Sequence, residues 1–186
     1  MRVITGSARG RRLKELEGQE TRPTTDRVKE GLFSILQGRR VLDLFAGTGQ
    51  LGIECLSRGA AKAVFVDQRT DAVRLIRENL ALTELADRAE VICGSALDVV
   101  ARAHGTFDII FLDPPYQTGL LEKALEQIAA FDILNPHGII AAEHPADRPP
   151  VSPTETCRLH RTYRYGKIGL TIFRRAENHR NEGETP

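Results

Sequence analysis

Apolar and polar positions along the chain follow two alternating periods. Five short runs, residues 40–45, 62–67, 91–93, 107–112 and 138–143, are almost wholly apolar and need cover on both faces, as strands of a parallel sheet have. Between them the apolar residues recur every three or four positions. Helices are predicted from the glycine-rich stretch after residue 45 through Ser57 and from Thr70 to Leu82, with Val73, Ile76 and Leu80 on one face. Two more run from the Gly94-Ser95-Ala96 stretch through Ala101 and from Leu120 to Ile128. An earlier helix is expected after the capping residues Thr24, Thr25 and Asp26, its apolar face made by Val28, Leu32, Ile35 and Leu36. After Glu143 the pattern changes. Residues 144–153 carry four prolines and read as an irregular loop, and residues 157–163 and 168–173, joined by Arg164-Tyr165-Gly166-Lys167, read as an antiparallel hairpin. Strands alternating with helices and finishing in a hairpin predict an α/β fold, a doubly wound sheet with one reversed edge strand. The opening, residues 3–16, reads as a short strand or hairpin, and residues 176–186 as a disordered tail.

At 186 residues the chain makes one domain, taken as residues 1–175, with enough core to cover both sides of a sheet. A formal net charge of +1 argues against a bulk polyanion binder, but the distribution is uneven. The first 14 residues hold Arg2, Arg9, Arg11, Arg12 and Lys14 with no acid, an excess able to contact phosphates or, more plainly, a solvated and frayed terminus. Met1 is followed by no apolar leader and no window has the length of a membrane span, so a cytoplasmic protein without membrane contact is expected. Cys55, Cys93 and Cys157 are odd in number and unpaired in spacing, and the five histidines show no ligand pattern. Reduced packing cysteines and no metal are the expectation.

The chemistry concentrates at two strand ends. Residues 109–112 end in Asp113-Pro114-Pro115-Tyr116; the prolines stop the strand and hold Asp113 at its carboxyl edge, where open α/β sheets bind ligands. A carboxylate and an exposed carbonyl can accept both hydrogens of an exocyclic amine, and an aromatic offers a face for a nucleobase. A strand followed by a turn is the plainer reading. The tetrapeptide resembles the Asn/Asp-Pro-Pro-Tyr/Phe motif of amino-methyltransferases that use S-adenosylmethionine. Gly47-Thr48-Gly49-Gln50-Leu51-Gly52 fits G-x-G-x-x-G between a strand and a helix, and Asp67 ends the next strand. That spacing suits a dinucleotide as well as a nucleoside sulfonium. Asp43, just ahead of the loop, sits poorly beside a pyrophosphate and well beside the amino end of methionine, although it could serve only to cap the turn.

These residues, with the basic Gly6-to-Leu13 opening, the block Arg22-Pro-Thr-Thr-Asp-Arg-Val-Lys-Glu and Leu56-Ser-Arg-Gly-Ala, resemble the bacterial RsmD-like family of small-subunit ribosomal RNA guanine-N2 methyltransferases over residues 3–174. The resemblance implies a Rossmann-like fold with a mostly parallel seven-stranded sheet, an antiparallel C-terminal hairpin strand and a short basic N-terminal extension, residues 1–20. It implies methylation of the N2 amine of one guanine in 16S ribosomal RNA, free or in an assembling subunit, by a monomer that converts S-adenosylmethionine to S-adenosylhomocysteine. Around the cofactor it implies Asp43, Phe45, Gly47, Gly49 and Asp67, joined by Arg22, Thr24, Ser95 and Ala96; Ser95 stands where related enzymes often carry Asp or Asn. Asp113, Pro114, Pro115 and Tyr116 fall at the target base, and Arg9, Arg11 and Arg12 on the RNA. An adenine-N6 DNA methyltransferase with the same Asp-Pro-Pro-Tyr site is the alternative, though no segment is large enough for a separate target-recognition domain; a third reading is an RNA-binding module with an inactive pocket. Titration calorimetry separates the ligand classes: heat is expected from S-adenosylmethionine and none from NAD, and the reverse would remove the methyltransferase reading.

Overall fold

The computed structural model describes residues 1–16, 36–103, 105–155 and 157–175. The helix expected at residues 24–36, but for Leu36, lies outside these, as do Arg22, Thr24 and the tail. Seven strands form one sheet: β1 (Arg40–Asp43), β2 (Lys62–Asp67), β3 (Ala89–Cys93), β4 (Phe107–Leu112), β5 (Leu134–Pro145), β6 (Cys157–Tyr165) and β7 (Ile168–Arg175). Their order is β3-β2-β1-β4-β5-β7-β6, with β1 to β5 parallel, β7 antiparallel to β5, and β6 antiparallel to β7. The helices are α1 (Gln50–Ser57), α2 (Thr70–Thr83), α3 (Ala96–Ala101) and α4 (Leu120–Ala130).

Successive side chains of a strand point to opposite faces, so each buried strand feeds two cores. Val41, Phe65, Ile109 and Ile139 enter one, with Ile53 of α1 and Ile76 of α2; Leu42, Val64, Ile110 and Ile140 enter the other, with Val100 of α3 and Leu125 of α4. This double burial is why the strands read as unbroken apolar runs. The order reverses between β1 and β4, leaving a crevice outside their carboxyl ends.

Several boundaries differ from expectation: β3 starts two residues earlier, at Ala89, β6 and β7 run two residues further, to Tyr165 and Arg175, and α2 and α4 extend to Thr83 and Ala130. β1 stops at Asp43, not Phe45, because the chain turns there into the glycine loop. β5 begins at Leu134, which pairs with Phe107 before an excursion through Pro136 and His137 (φ 61) delays regular pairing until Ile139. It also runs on through His144 and Pro145, which the prolines had placed in a loop. Those two pair with Gly169 and Ile168 on β7, while β4 has already ended on the other side, so the missing Pro145 N–H breaks no ladder.

The basic opening is a docked hairpin and not a frayed end. Val3 donates to the Arg11 carbonyl at 3.0 Å and Gly10 to the Val3 carbonyl at 2.9 Å, and Val3, Ala8 and Leu13 are buried. Its seat is α1: the Glu54 carboxylate, itself buried, accepts the Ile4 and Thr5 N–H groups at 2.8 and 3.1 Å and pairs with Arg58 at 2.7 Å. Gly6 (φ +83) lies so close that a Cβ would stand 1.9 Å from the Ser57 carbonyl oxygen. Lys14 N–H reaches Asn79 Oδ1 of α2 at 2.8 Å. Removing Glu54 strips acceptors from buried donors and a partner from Arg58. Glu54→Ala is therefore expected to lower the unfolding free energy by about 3 kcal/mol in urea titrations and to open the first 16 residues to protease.

Candidate active site

The crevice at the carboxyl edge is a cleft of about 620 Å³. The glycine loop forms one wall. Gly49 (φ +78) caps α1 in a left-handed conformation, and Gly52 lets that helix rest on β2, since a Cβ there would fall 2.3 Å from the Phe65 ring. Gly49 does not line the cleft. Gly47 (φ +55) does, and a Cβ there would meet nothing within 4 Å, leaving room for a ligand against the backbone.

Two acids hold this loop. Asp43, buried at the end of β1, accepts the Gly52 N–H at 3.2 Å in the first turn of α1, as the capping reading has it, and also lines the cleft. Asp67, at the end of β2, accepts Gly47 N–H and Arg69 N–H, each at 2.9 Å. Burial pushes the Asp43 carboxyl up to about 7; the Gly52 N–H opposes the rise and the Asp67 charge adds to it. Phe45, Ser95 and Ala96 also line the cleft.

The opposite wall is Asp113 to Tyr116. Asp113 is open to the cleft yet closely surrounded by protein; that crowding, then Glu143, then Asp43, raises its carboxyl above the usual range. The Thr118 hydroxyl donates to the Pro115 carbonyl at 2.8 Å and closes the loop before α4. Tyr116 stays 38% exposed at the rim, and its hydroxyl donates to Glu143 Oε1 at 2.9 Å, which fixes the ring while leaving a face open.

Sequence reasoning missed Glu143. It lies near the end of β5, beside the strand that carries Asp113, and the signal was there: an acid closing an apolar run, the same feature that singled out Asp67. Met1, Gln68, Arg69, Leu97 and Leu120 also line the cleft unforeseen. Arg9, Arg11 and Arg12 do not line it. Arg11 is held by the Leu82 carbonyl and an ion pair with Glu84 at 2.8 Å, whereas Arg9 and Arg12 are exposed. Arg22 and Thr24 lie outside the described residues. Among the described residues no group of three or more His, Cys, Asp or Glu is arranged to hold a metal ion, and no helix is long and apolar enough to cross a membrane. Cys55 and Cys157 are buried and Cys93 is exposed; all three are free thiols.

The strand order with its one reversed strand, β7, inserted between β5 and the edge strand β6 and not at the edge as expected, and the glycine loop set among acids at one sheet edge, define a Rossmann-like methyltransferase fold. A family model described as "Conserved hypothetical protein 95" matches residues 1–174, and the chain belongs to that family, the RsmD family. It is 42% identical over 184 residues to the Bacillus subtilis protein YlbH, whose name describes a candidate rRNA methyltransferase, covering 94% of this chain and 99% of that one. It is 38% identical over 160 residues to Ribosomal RNA small subunit methyltransferase D of Haemophilus influenzae, covering 82% and 83% of the two chains. A solved structure of the Escherichia coli protein yhhF, described as a candidate methyltransferase, superposes with a TM-score of 0.84 at 33% identity, covering 94% of this chain and 97% of that one.

The raised Asp43 carboxyl makes stability depend on pH. An unfolded chain gives up this proton near 3.8, whereas the folded protein keeps it to about 7, so the group's contribution is full below about pH 4 and lost as pH rises through 7. In the ligand-free protein Asp43→Asn is expected to flatten the decline of the urea midpoint across that window; an unchanged profile would contradict the buried, raised carboxyl.

Proposed function

We propose that this chain is an S-adenosylmethionine-dependent methyltransferase that methylates the exocyclic N2 amine of one guanine in small-subunit ribosomal RNA. The observation that carries the reading is that one cleft joins the glycine loop, Asp43 and Asp67 to Asp113–Tyr116, in a chain whose named relatives are rRNA methyltransferases. The adenine-N6 DNA reading is not favoured, since those relatives act on rRNA by name.

The donor set suits the cofactor. Asp43 is a buried acid with no ion pair among the described residues, and Asp67, Asp113 and Glu143 line the same cleft. Such a site attracts a cationic ligand and repels a pyrophosphate. In this reading Asp43, Phe45, Gly47 and Asp67 hold the cofactor, Ser95 and Ala96 take its adenine end, Gly49 shapes the loop, and Arg22 and Thr24 belong to the same cofactor-binding set. When bound, S-adenosylmethionine supplies a methyl group on a positively charged sulfur.

The chain's own residues prepare the amine. The N2 lone pair of guanine is delocalised into the ring, and attack requires the nitrogen to pyramidalise. Asp113 accepts one amine hydrogen and the Pro114 carbonyl the other, which favours that geometry. A carboxyl raised toward neutrality by the protein packed around it, and then by the charges of Glu143 and Asp43, is also suited to take the proton. Pro115 keeps the loop rigid. Tyr116 stacks on the flipped base, a contact that contributes roughly 1–3 kcal/mol in other nucleic-acid sites, and Glu143 steadies the ring. Residues 1–175 act as one domain and as a cytoplasmic monomer, with Arg9 and Arg12 of the N-terminal extension placed to meet phosphate while Arg11 secures the hairpin to α2.

Asp113→Ala is expected to slow methylation of a small-subunit rRNA transcript by ~10²–10⁴-fold while calorimetry shows cofactor binding largely kept. Tyr116→Phe should be mild and Tyr116→Ala severe, with N2-methylguanine followed by mass spectrometry. Near wild-type turnover in Asp113→Ala would sink the catalytic assignment.

A further inference from the structure

The hairpin β6–β7 holds six cations, Arg158, Arg161, Arg164, Lys167, Arg174 and Arg175, and no acid, so with a whole-chain formal charge of +1 the remaining residues sum to −5. Arg175 pairs with Asp132. The exposed cations of β6 and its turn meet no carboxylate among the described residues: Arg158 and Arg164 donate to the Glu155 and Gly166 carbonyls, and Arg161 lies over the Tyr163 ring at 5.8 Å. Three exposed cations elsewhere are neutralised, Lys14 by Glu78, Lys62 by Glu90 and Arg39 by Asp108, whereas Arg74, Arg77, Arg102, Lys123 and Arg148 are scattered exposed cations with no ion pair among the described residues.

The register places this charge relative to the site. Glu143 pairs with Leu170 and that with Tyr163; His144 pairs with Gly169 and that with Arg164. Arg164 and the Lys167 turn thus stand on the same sheet edge as Glu143, two strands or about 10 Å away, and Arg158 to Arg164 extend the charge about 20 Å down the edge strand. The docked N-terminal hairpin, with exposed Arg2, Arg9 and Arg12, lies toward the opposite end of the sheet on α1 and α2, so Asp113 sits between two basic surfaces. Charges on an edge strand also guard it against pairing with another sheet, but a guard works with either sign, and here every charge is positive.

We propose that the outer strand β6 and its turn, through Arg158, Arg161, Arg164 and Lys167, form a docking surface for the phosphate backbone of RNA flanking the target base. This rests on the RNA-methylation reading above, and it extends the contact surface well beyond the N-terminal arm. The contacts are to phosphate and so position RNA without reading its sequence.

The test uses the full chain carrying Arg158→Gln, Arg161→Gln, Arg164→Gln and Lys167→Gln, with Lys62→Gln as a reference at a neutralised cation. Binding of a small-subunit rRNA transcript is measured across about 50 to 200 mM KCl, where the quadruple variant should bind about tenfold or more weakly and its log–log salt slope should flatten by about 3. KM for RNA should rise, while kcat at saturating RNA and S-adenosylmethionine affinity stay level, and Lys62→Gln should change neither affinity nor slope. If the wild-type protein binds the transcript and the quadruple variant binds it equally, the docking surface is wrong and the RNA reading stands. Should the variant instead self-associate with RNA affinity unchanged, the cations are an edge guard and the inference fails. Absence of any salt-dependent binding by the wild-type protein would overturn the RNA reading, and this inference with it.

Discussion

Asp43, Asp113 and Glu143 come at the ends of three neighbouring strands, and sheet hydrogen bonding gives them no freedom to spread. Asp43 pairs with Phe111 and Leu112 with Ala142, so the acids emerge at one edge from strands about 4.8 Å apart. Carboxyl groups this close must be compensated by protons or by a cation. Asp43 is met by one N–H from Gly52, and the Tyr116 hydroxyl is one of the groups that meet Glu143. The cleft therefore favours a positively charged ligand before any contact with that ligand is considered.

Much of this was legible in local patterns. β2 was read to the residue, because Lys62 and Asp67 bracket a run that both faces of the sheet bury. The glycine loop and the Asp113 turn declared themselves through residues whose backbone limits leave few alternatives. What escaped depends on neighbours distant in sequence. His144 and Pro145 look like loop from their own chemistry and become strand only because β7 arrives beside them. Glu143 is an ordinary acid until the register sets it against Tyr116. The basic opening could not be told from a frayed tail, since the carboxylate that seats it, Glu54, lies some 50 residues on.

Net charge concealed as much as it revealed. A chain close to neutrality overall has an acidic cleft between two basic hairpins, one at each end of the sheet. The arrangement separates two electrostatic tasks, holding a small cation and tolerating a large anion, by placing them on different strands. Each field falls off over about a Debye length, roughly 8 Å at physiological salt, so the tasks need not cancel.

The seat of the N-terminal hairpin bears on how the chain is made. Residues 1–14 are translated before the groups that receive them, Glu54, Ser57, Asn79 and Glu84, which follow 40 to 70 residues later. Until α2 has emerged, Val3, Ala8 and Leu13 have nothing to pack against. The hairpin is thus made before the helices that seat it, and closing so long a loop adds a non-local contact to a sheet already slow to assemble by its parallel connections.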